Sequence, residues 1–254
     1  MGRRRSPARA SLAALLACAW LALSPAVDAT EGSRASARAA SSVGRAATLS
    51  NLRTLSRWAY AQSQATVREH PSSGARALGR LRFLTEDGQA QPYLALRSYT
   101  AGSVQWDRLS IPGRPNGLAG WVPATALGAL HVTREHLRIN RELLRATLFR
   151  DARIVWQAAI GIGRPTLPTP PGQFFVTEKL TALGGPFYGP FAIGTSAFAP
   201  TLTDWPGGGV IGIHGTDQPQ LIPGRPSHGC IRLRNSDIVR LWPLIEVGTP
   251  IEIV

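Results

Sequence analysis

Three side chains in the last quarter of the sequence could carry covalent chemistry. The stretch GRPSHGCIRLRN, residues 224–235, holds Cys230 two places after His228, and GVIGIHGT, residues 209–216, carries His214. A cysteine attacks a carbonyl carbon as its thiolate, and an unperturbed thiol, with a pKa of about 8.5, is mostly protonated at neutral pH. It therefore needs a base or a positive charge beside it. Read as a strand, 228–234 points Ile231 and Leu233 to one face and His228, Cys230, Arg232 and Arg234 to the other. The same alternation sends Ile211 and Ile213 inward and leaves Gly212 and His214 opposite them. If the two strands are neighbours, His214 faces Cys230. His228, two strand residues from the thiol, lies ~6–7 Å along the backbone, long for a direct proton transfer. His214 is thus the expected base and His228 a supporting group. Gly229 leaves the N–H groups of 229 and 230 unshielded, an expected oxyanion hole for acyl transfer. Arg232, on the polar face, could hold a substrate carboxylate or favour the thiolate.

Other readings of these residues compete. A lone cysteine can be a small apolar filler, although this one stands among polar neighbours on its face of the strand. His214, His228 and Cys230 could supply three zinc ligands, but no CxxC or HExxH spacing accompanies them. An odd cysteine can also pair between molecules. Ser227 lacks the G-x-S-x-G elbow of a serine hydrolase. The three glycines before Val210 lack the lysine and following helix of a phosphate cradle. His70, His131 and His136 have no patterned partners, and Trp106 and Trp121 read as packing.

These groups need a scaffold, and its pattern is mainly β. From 131 onward, HLRINREL, LLRATLFR, RIVWQAAIGIG, GQFFVTEKL, GGVIGIHGT, GCIRLR and TPIEIV read as strands, with Asp151-Ala152 at a hairpin turn. One helix is expected, capped by Asn235 or Ser236, with Ile238, Leu241, Trp242 and Ile245 on its apolar face and Pro243 ending it. Between Arg57 and Ala129, short apolar runs are divided by Asp87-Gly88 and Asn116-Gly117, pairs that tolerate positive φ and mark hairpins. A small β-barrel over 58–129 follows, then a β-rich domain over 130–254. Residues 30–57, rich in Ala, Ser and Arg, read as a flexible linker.

The start of the chain bears on the thiol as well. Arg3, Arg4, Arg5 and Arg9 precede an apolar run from Leu12 to Leu23, and Val27-Asp28-Ala29 offers a small-residue cleavage site. This is the pattern of a secretory signal peptide over 1–29, too short for a membrane span. Leu15-Leu16-Ala17-Cys18 offers an alternative, lipoprotein-type cut. Cleavage after Ala29 would remove Cys18 and leave Cys230 as the sole thiol in a compartment where cysteines usually pair. The formal charge of +13 would fall to +10 with the loss of four arginines and one aspartate. That balance suits an anionic cell-wall surface. Nucleic acid is disfavoured, because no basic stripe is interleaved with aromatics and the chain is expected to be exported.

His214, twelve intervening residues, then SHGCIRLRN resembles the signature of L,D-transpeptidases of the YkuD family, over about 131–254. The resemblance implies a β-rich enzyme without metal or cofactor, working in the cell wall or periplasm. Its cysteine attacks the carbonyl of the third residue of a peptidoglycan stem tetrapeptide, releases D-alanine and passes the acyl group to an amine. It implies Cys230 as nucleophile, His214 as base, the carbonyl of Gly215 as orienter of that imidazole, and Ser227, His228, Gly229, Arg232 and Asn235 as the surrounding motif, the last two toward substrate. Gly215 stands where some relatives carry serine. ATVREHPSS, GRL and GWVPATAL resemble a bacterial SH3-like domain. An L,D-carboxypeptidase, giving the acyl group to water, and a catalytically silent wall-binding protein are the alternatives.

Overall fold

Alternating apolar residues build two sheets in the computed structural model, which describes residues 44–181, 185–203 and 208–254. The signal peptide read over 1–29, and the linker as far as residue 43, lie outside the described residues. The first sheet contains β1 (Arg45–Thr48), β2 (Ser56–Tyr60), β3 (Thr66–Arg68), β4 (Ala77–Arg80), β5 (Pro92–Ala101), β6 (Val104–Ser110), β7 (Ala119–Pro123) and β8 (His131–Thr133). Its order is β4-β3-β7-β6-β5-β2-β8, with β1 also paired to β5. The second contains β9 (Glu135–Asn140), β10 (Arg145–Arg150), β11 (Arg153–Ala159), β12 (Gly161–Gly163), β13 (Gly172–Thr181), β14 (Phe191–Phe198), β15 (Val210–His214), β16 (Gly224–Ser227), β17 (Ile231–Arg232) and β18 (Pro250–Ile253). These run β11-β10-β9-β18-β13-β14-β15-β17-β12-β16.

The mainly β expectation holds, with corrections of detail. Residues 45–48 and 56–57, inside the stretch read as linker, are strand. β8 pairs with β2, so the change of sheet comes after Thr133 rather than after 129. The Asp87-Gly88 turn closes only the isolated bridge Leu84–Ala90, because β4 pairs with β3 and β5 with β6. The Asn116-Gly117 and Asp151-Ala152 turns do join antiparallel neighbours, β6 to β7 and β10 to β11. Asp151 and Ala152 both have positive φ, at 48° and 63°, as a two-residue hairpin that follows the strand twist requires.

Among the described residues there is one α-helix, α1 (Asn235–Leu241). Its N-cap is Arg234, with no side-chain cap, so neither Asn235 nor Ser236 plays that part. It buries Ile238 and Leu241 in the core of the second sheet, against strand residues such as Ile193, Ile213, Ile231 and Ile251. Trp242 follows the helix and stacks on Phe191, with centroids 4.4 Å apart. Each fully buried side chain of this size contributes about 1.5–3 kcal/mol of transfer free energy. Among the described residues no helix is long and apolar enough to cross a membrane.

The sheets meet at a small core of their own, where Trp58 and Leu94 of the first pack on Phe175 of the second. Polar contacts flank it. Thr85 Oγ1 donates to Glu178 Oε2 at 2.6 Å, and the loop between β6 and β7 reaches the end of β14.

Candidate active site

The site is built on β14, β15 and β17. β15 pairs antiparallel with β14 and parallel with β17, in the register Ile213–Ile231 and His214–Arg232. Arg232 is therefore the residue directly across from His214. Cys230, one residue before β17, comes beside Gly212, whose N–H donates to its Sγ at 3.4 Å. A Cβ at 212 would lie 4.0 Å from both Cys230 Sγ and His214 Cδ2, so the missing side chain leaves open the space that thiol and imidazole share. His214, His228 and Cys230 line one narrow cleft of about 30 Å³. The expected neighbour relation between the two strands holds, by a diagonal contact.

The segment carrying the thiol is a tight loop, not the strand expected over 228–230. Gly229 has φ +129°, and a Cβ there would come within 2.8 Å of Ile211 Cδ1. Ser227 ties the loop: its Oγ donates to Cys230 O at 2.6 Å and accepts the Gly229 N–H at 3.1 Å. Ser227 thereby orients the loop, and the Gly229 N–H is committed rather than open to an oxyanion. From the other side, Thr169 Oγ1 donates to Gly229 O at 2.6 Å and accepts the Gly163 N–H at 3.0 Å. Sequence reasoning missed Thr169, which sits in the Pro-rich loop after β12 and carries no motif.

His214 is 2% exposed. Its Nδ1 lies 2.6 Å from the carbonyl oxygen of Gly215, which can only accept, so Nδ1 carries the proton and Nε2 holds a free lone pair. The Tyr188 ring meets the imidazole edge-on at 4.9 Å, and Phe187 lies over it at 6.1 Å. These aromatics, on the 3-10 turn Pro186–Tyr188, were not singled out from sequence; the Pro-Phe-Tyr run flanked by glycines was the available signal. Burial lowers the His214 pKa to about 4, opposed by the Gly215 hydrogen bond and assisted by the charge of Arg232. Burial also raises the Cys230 thiol, although the Gly212 N–H and Arg232 both act to lower it. Both shifts favour the uncharged forms, thiol and imidazole. His228 is held below its ordinary value by desolvation and by Arg164 and Arg232.

Arg232 and Asn235 do not line the cleft. Arg232 is 5% exposed, its guanidinium covers the Phe187 ring at 4.9 Å, and Nη1 donates to Gln218 Oε1 at 3.3 Å. Its charge acts to lower the pKa of the half-buried Cys230 thiol, against the desolvation that raises it. Asn235 Oδ1 accepts the Thr216 N–H at 2.9 Å, so it braces the turn that follows His214. Gly215 packs against that same Asn235 oxygen. Among the described residues no group of three or more His, Cys, Asp or Glu is arranged to hold a metal ion.

A larger cavity, about 280 Å³ and lined by Arg53, His136, Arg138, Phe149, Ala152 and Glu252, lies apart from these groups.

The family model of the YkuD L,D-transpeptidase catalytic domain matches residues 134–253, which begin where the second sheet begins and enclose the whole cleft-bearing ladder. Residues 134–253 are an L,D-transpeptidase catalytic domain. The Bacillus subtilis (strain 168) protein YkuD, which bears the L,D-transpeptidase name, is 29% identical over 156 residues, 61% of this chain and 80% of its own. The similarly named B. subtilis YqjB is 30% identical over 119 residues, 44% of this chain and 66% of its own. Among solved structures, the catalytic domain of the E. faecium L,D-transpeptidase is 26% identical, covering 47% of this chain and 96% of that one, with a TM-score of 0.37. The L,D-transpeptidase domain is that of an enzyme.

Proposed function

We propose that this chain is an exported cysteine L,D-transpeptidase that acts on the stem tetrapeptides of peptidoglycan. Cys230 is the nucleophile. Its attack on the carbonyl of the third stem residue forms a C–S bond while the thiol proton passes to Nε2 of His214. The oxyanion takes the N–H of Cys230, since that of Gly229 is engaged by Ser227. Collapse breaks the C–N bond, and the departing amine of D-alanine takes the proton back from His214. An acceptor amine then attacks the thioester and restores the thiol by the same transfers in reverse.

The observation that carries this reading is the 2.6 Å contact between His214 Nδ1 and Gly215 O, which leaves Nε2 unprotonated on a residue that lines the same cleft as Cys230. Base and nucleophile within one pocket, with a third group orienting the base, is the arrangement that nucleophilic catalysis requires. His228 completes the cleft as a supporting polar group. Export, the anionic cell-wall surface as partner, and an SH3-like role for the first sheet complete the reading; the leader pattern and the basic charge support the first two, and the motifs ATVREHPSS, GRL and GWVPATAL the third.

The test is to incubate the full chain with a disaccharide-tetrapeptide and follow mass. Loss of D-alanine with an acyl adduct on Cys230, both abolished by Cys230→Ala, is the expected result. A cross-linked dimer marks transfer to an amine, a tripeptide alone marks hydrolysis, and turnover that survives Cys230→Ala sinks the reading.

A further inference from the structure

Arg114 belongs to the loop between β6 and β7 of the first sheet, yet its hydrogen bonds go to the second. Nε donates to Ala199 O at 3.2 Å, and Nη2 donates to Leu202 O at 3.1 Å and Gly208 O at 2.9 Å. The guanidinium also lies 4.9 Å over the Phe198 ring. Two residues on, Asn116 Nδ2 donates to Phe198 O at 2.8 Å while its Oδ1 accepts the Phe198 N–H at 2.9 Å. The polypeptide so held is a wall of the Cys230 cleft, to which Ala199, Leu202, Gly209, Val210 and Ile211 contribute.

We propose that Arg114 is a positioning residue for the transpeptidase reaction, through which the first sheet fixes the wall of the donor-binding cleft. Three carbonyl dipoles converge on one guanidinium, whose rigid planar fork of N–H groups can serve them together. Without that cation the three carbonyls lose their shared donor, and the described ends of the connection between β14 and β15 are left to the Ala199 N–H bond to Gly209 O at 2.8 Å and to Asn116. Asn116 acts as the second pin, at the end of β14. The wall matters because the cleft is only about 30 Å³, the size of a water site. The position of that wall governs how a peptide reaches Cys230, and Arg114 helps to set it. The role in turnover rests on the function proposed above; the control of access to the thiol does not.

Two measurements on the full chain separate these points. In Arg114→Ala, alkylation of Cys230 by a bulky uncharged maleimide should rise at least threefold relative to alkylation by iodoacetamide, because the wall recedes. The KM for the tetrapeptide donor should rise about tenfold with kcat within about twofold, the signature of lost binding geometry rather than lost chemistry. Arg114→Lys, which keeps the charge without the fork, should fall between the two. An Arg108→Ala control, at an exposed arginine on β6, should match the wild type. Wild-type reagent ratio and KM in Arg114→Ala overturn the proposal, as does a fall in kcat at unchanged KM. Should Arg114→Ala not fold, wild-type behaviour of Arg114→Lys on both measures overturns it. If the wild type itself releases no D-alanine, the function proposed above fails, and the reagent ratio still decides the role of Arg114.

Discussion

Asn235 Oδ1 accepts the backbone N–H of Thr216 at 2.9 Å, one residue beyond the carbonyl that fixes the proton of His214 on Nδ1. The first residue of the only α-helix described thus braces the turn that orients His214, the proposed base. Asn235→Ala removes the acceptor and frees the Gly215 carbonyl to drift. Donor turnover should fall about 10- to 100-fold, the effect of an ångström-scale misplacement of a reacting group. Asn235→Asp keeps an oxygen in place and should recover most of the loss, whereas a purely stabilising role would leave kcat/KM alone while Tm fell.

The charge state of the pair gives a second expectation. Burial lowers His214 to about 4 and raises the Cys230 thiol, so alkylation of Cys230 by iodoacetamide should be slow at pH 7 and accelerate only above the ordinary thiol range. Acylation by a peptide donor needs neutral imidazole, and its rate should stay level down to about pH 5. The same shift affects folding. His214 binds its proton more weakly folded than unfolded, so its stabilising effect is complete above about 6.5 and is lost as pH falls toward 4, about 3 kcal/mol in all. Rapid alkylation at pH 6 would instead reveal a thiolate–imidazolium pair.

What could be read in the residues was largely local. Period-two alternation exposed β9, β10, β13, β15 and β18, and the spacing of His214 from SHGC marked the groups proposed to react. β14 escaped notice because it is buried along almost its whole length and interrupted by Gly194, Thr195 and Ser196, so it shows no alternation, although it is the central partner of β13 and β15. The surroundings of Arg232 and Gly229 escaped the sequence pattern for a related reason. Parity along an ideal strand cannot foresee that the chain turns at Gly229 with positive φ, or that Phe187, from a distant turn, covers Arg232. Thr169 and Asn235 act through backbone groups, and side-chain type alone does not announce such a partner.

Thr169 gives a third expectation. It is 1% exposed and joins two buried backbone groups, the Gly163 N–H and the Gly229 carbonyl. Thr169→Val keeps the shape and removes both bonds, which should lower stability by about 2–4 kcal/mol, since buried polar groups lose partners that water cannot replace. Thr169→Ser should retain most of it. Denaturant unfolding measures both, and a Thr169→Val variant as stable as Thr169→Ser would show the loop to be held some other way.

The contact between the sheets supplies the last expectation. Glu178 is 4% exposed, accepts a hydrogen bond from Thr85 Oγ1 at 2.6 Å, and is pushed above its ordinary pKa first by burial and then by the nearby Asp87 and Glu86. A carboxyl that binds its proton more tightly folded than unfolded makes the folded state less stable as pH rises from the unfolded value of 4.5 through the folded one. At neutral pH the ionised group is therefore a cost at this contact, opposed only in part by Thr85. Glu178→Gln keeps an oxygen for that hydroxyl without the charge. It should unfold at an equal or higher temperature than the wild type at pH 7, with the advantage shrinking toward pH 4. Thermal scans at both pH values decide the matter: a Glu178→Gln chain clearly less stable at pH 7 would mean that the carboxylate charge itself holds the two sheets together.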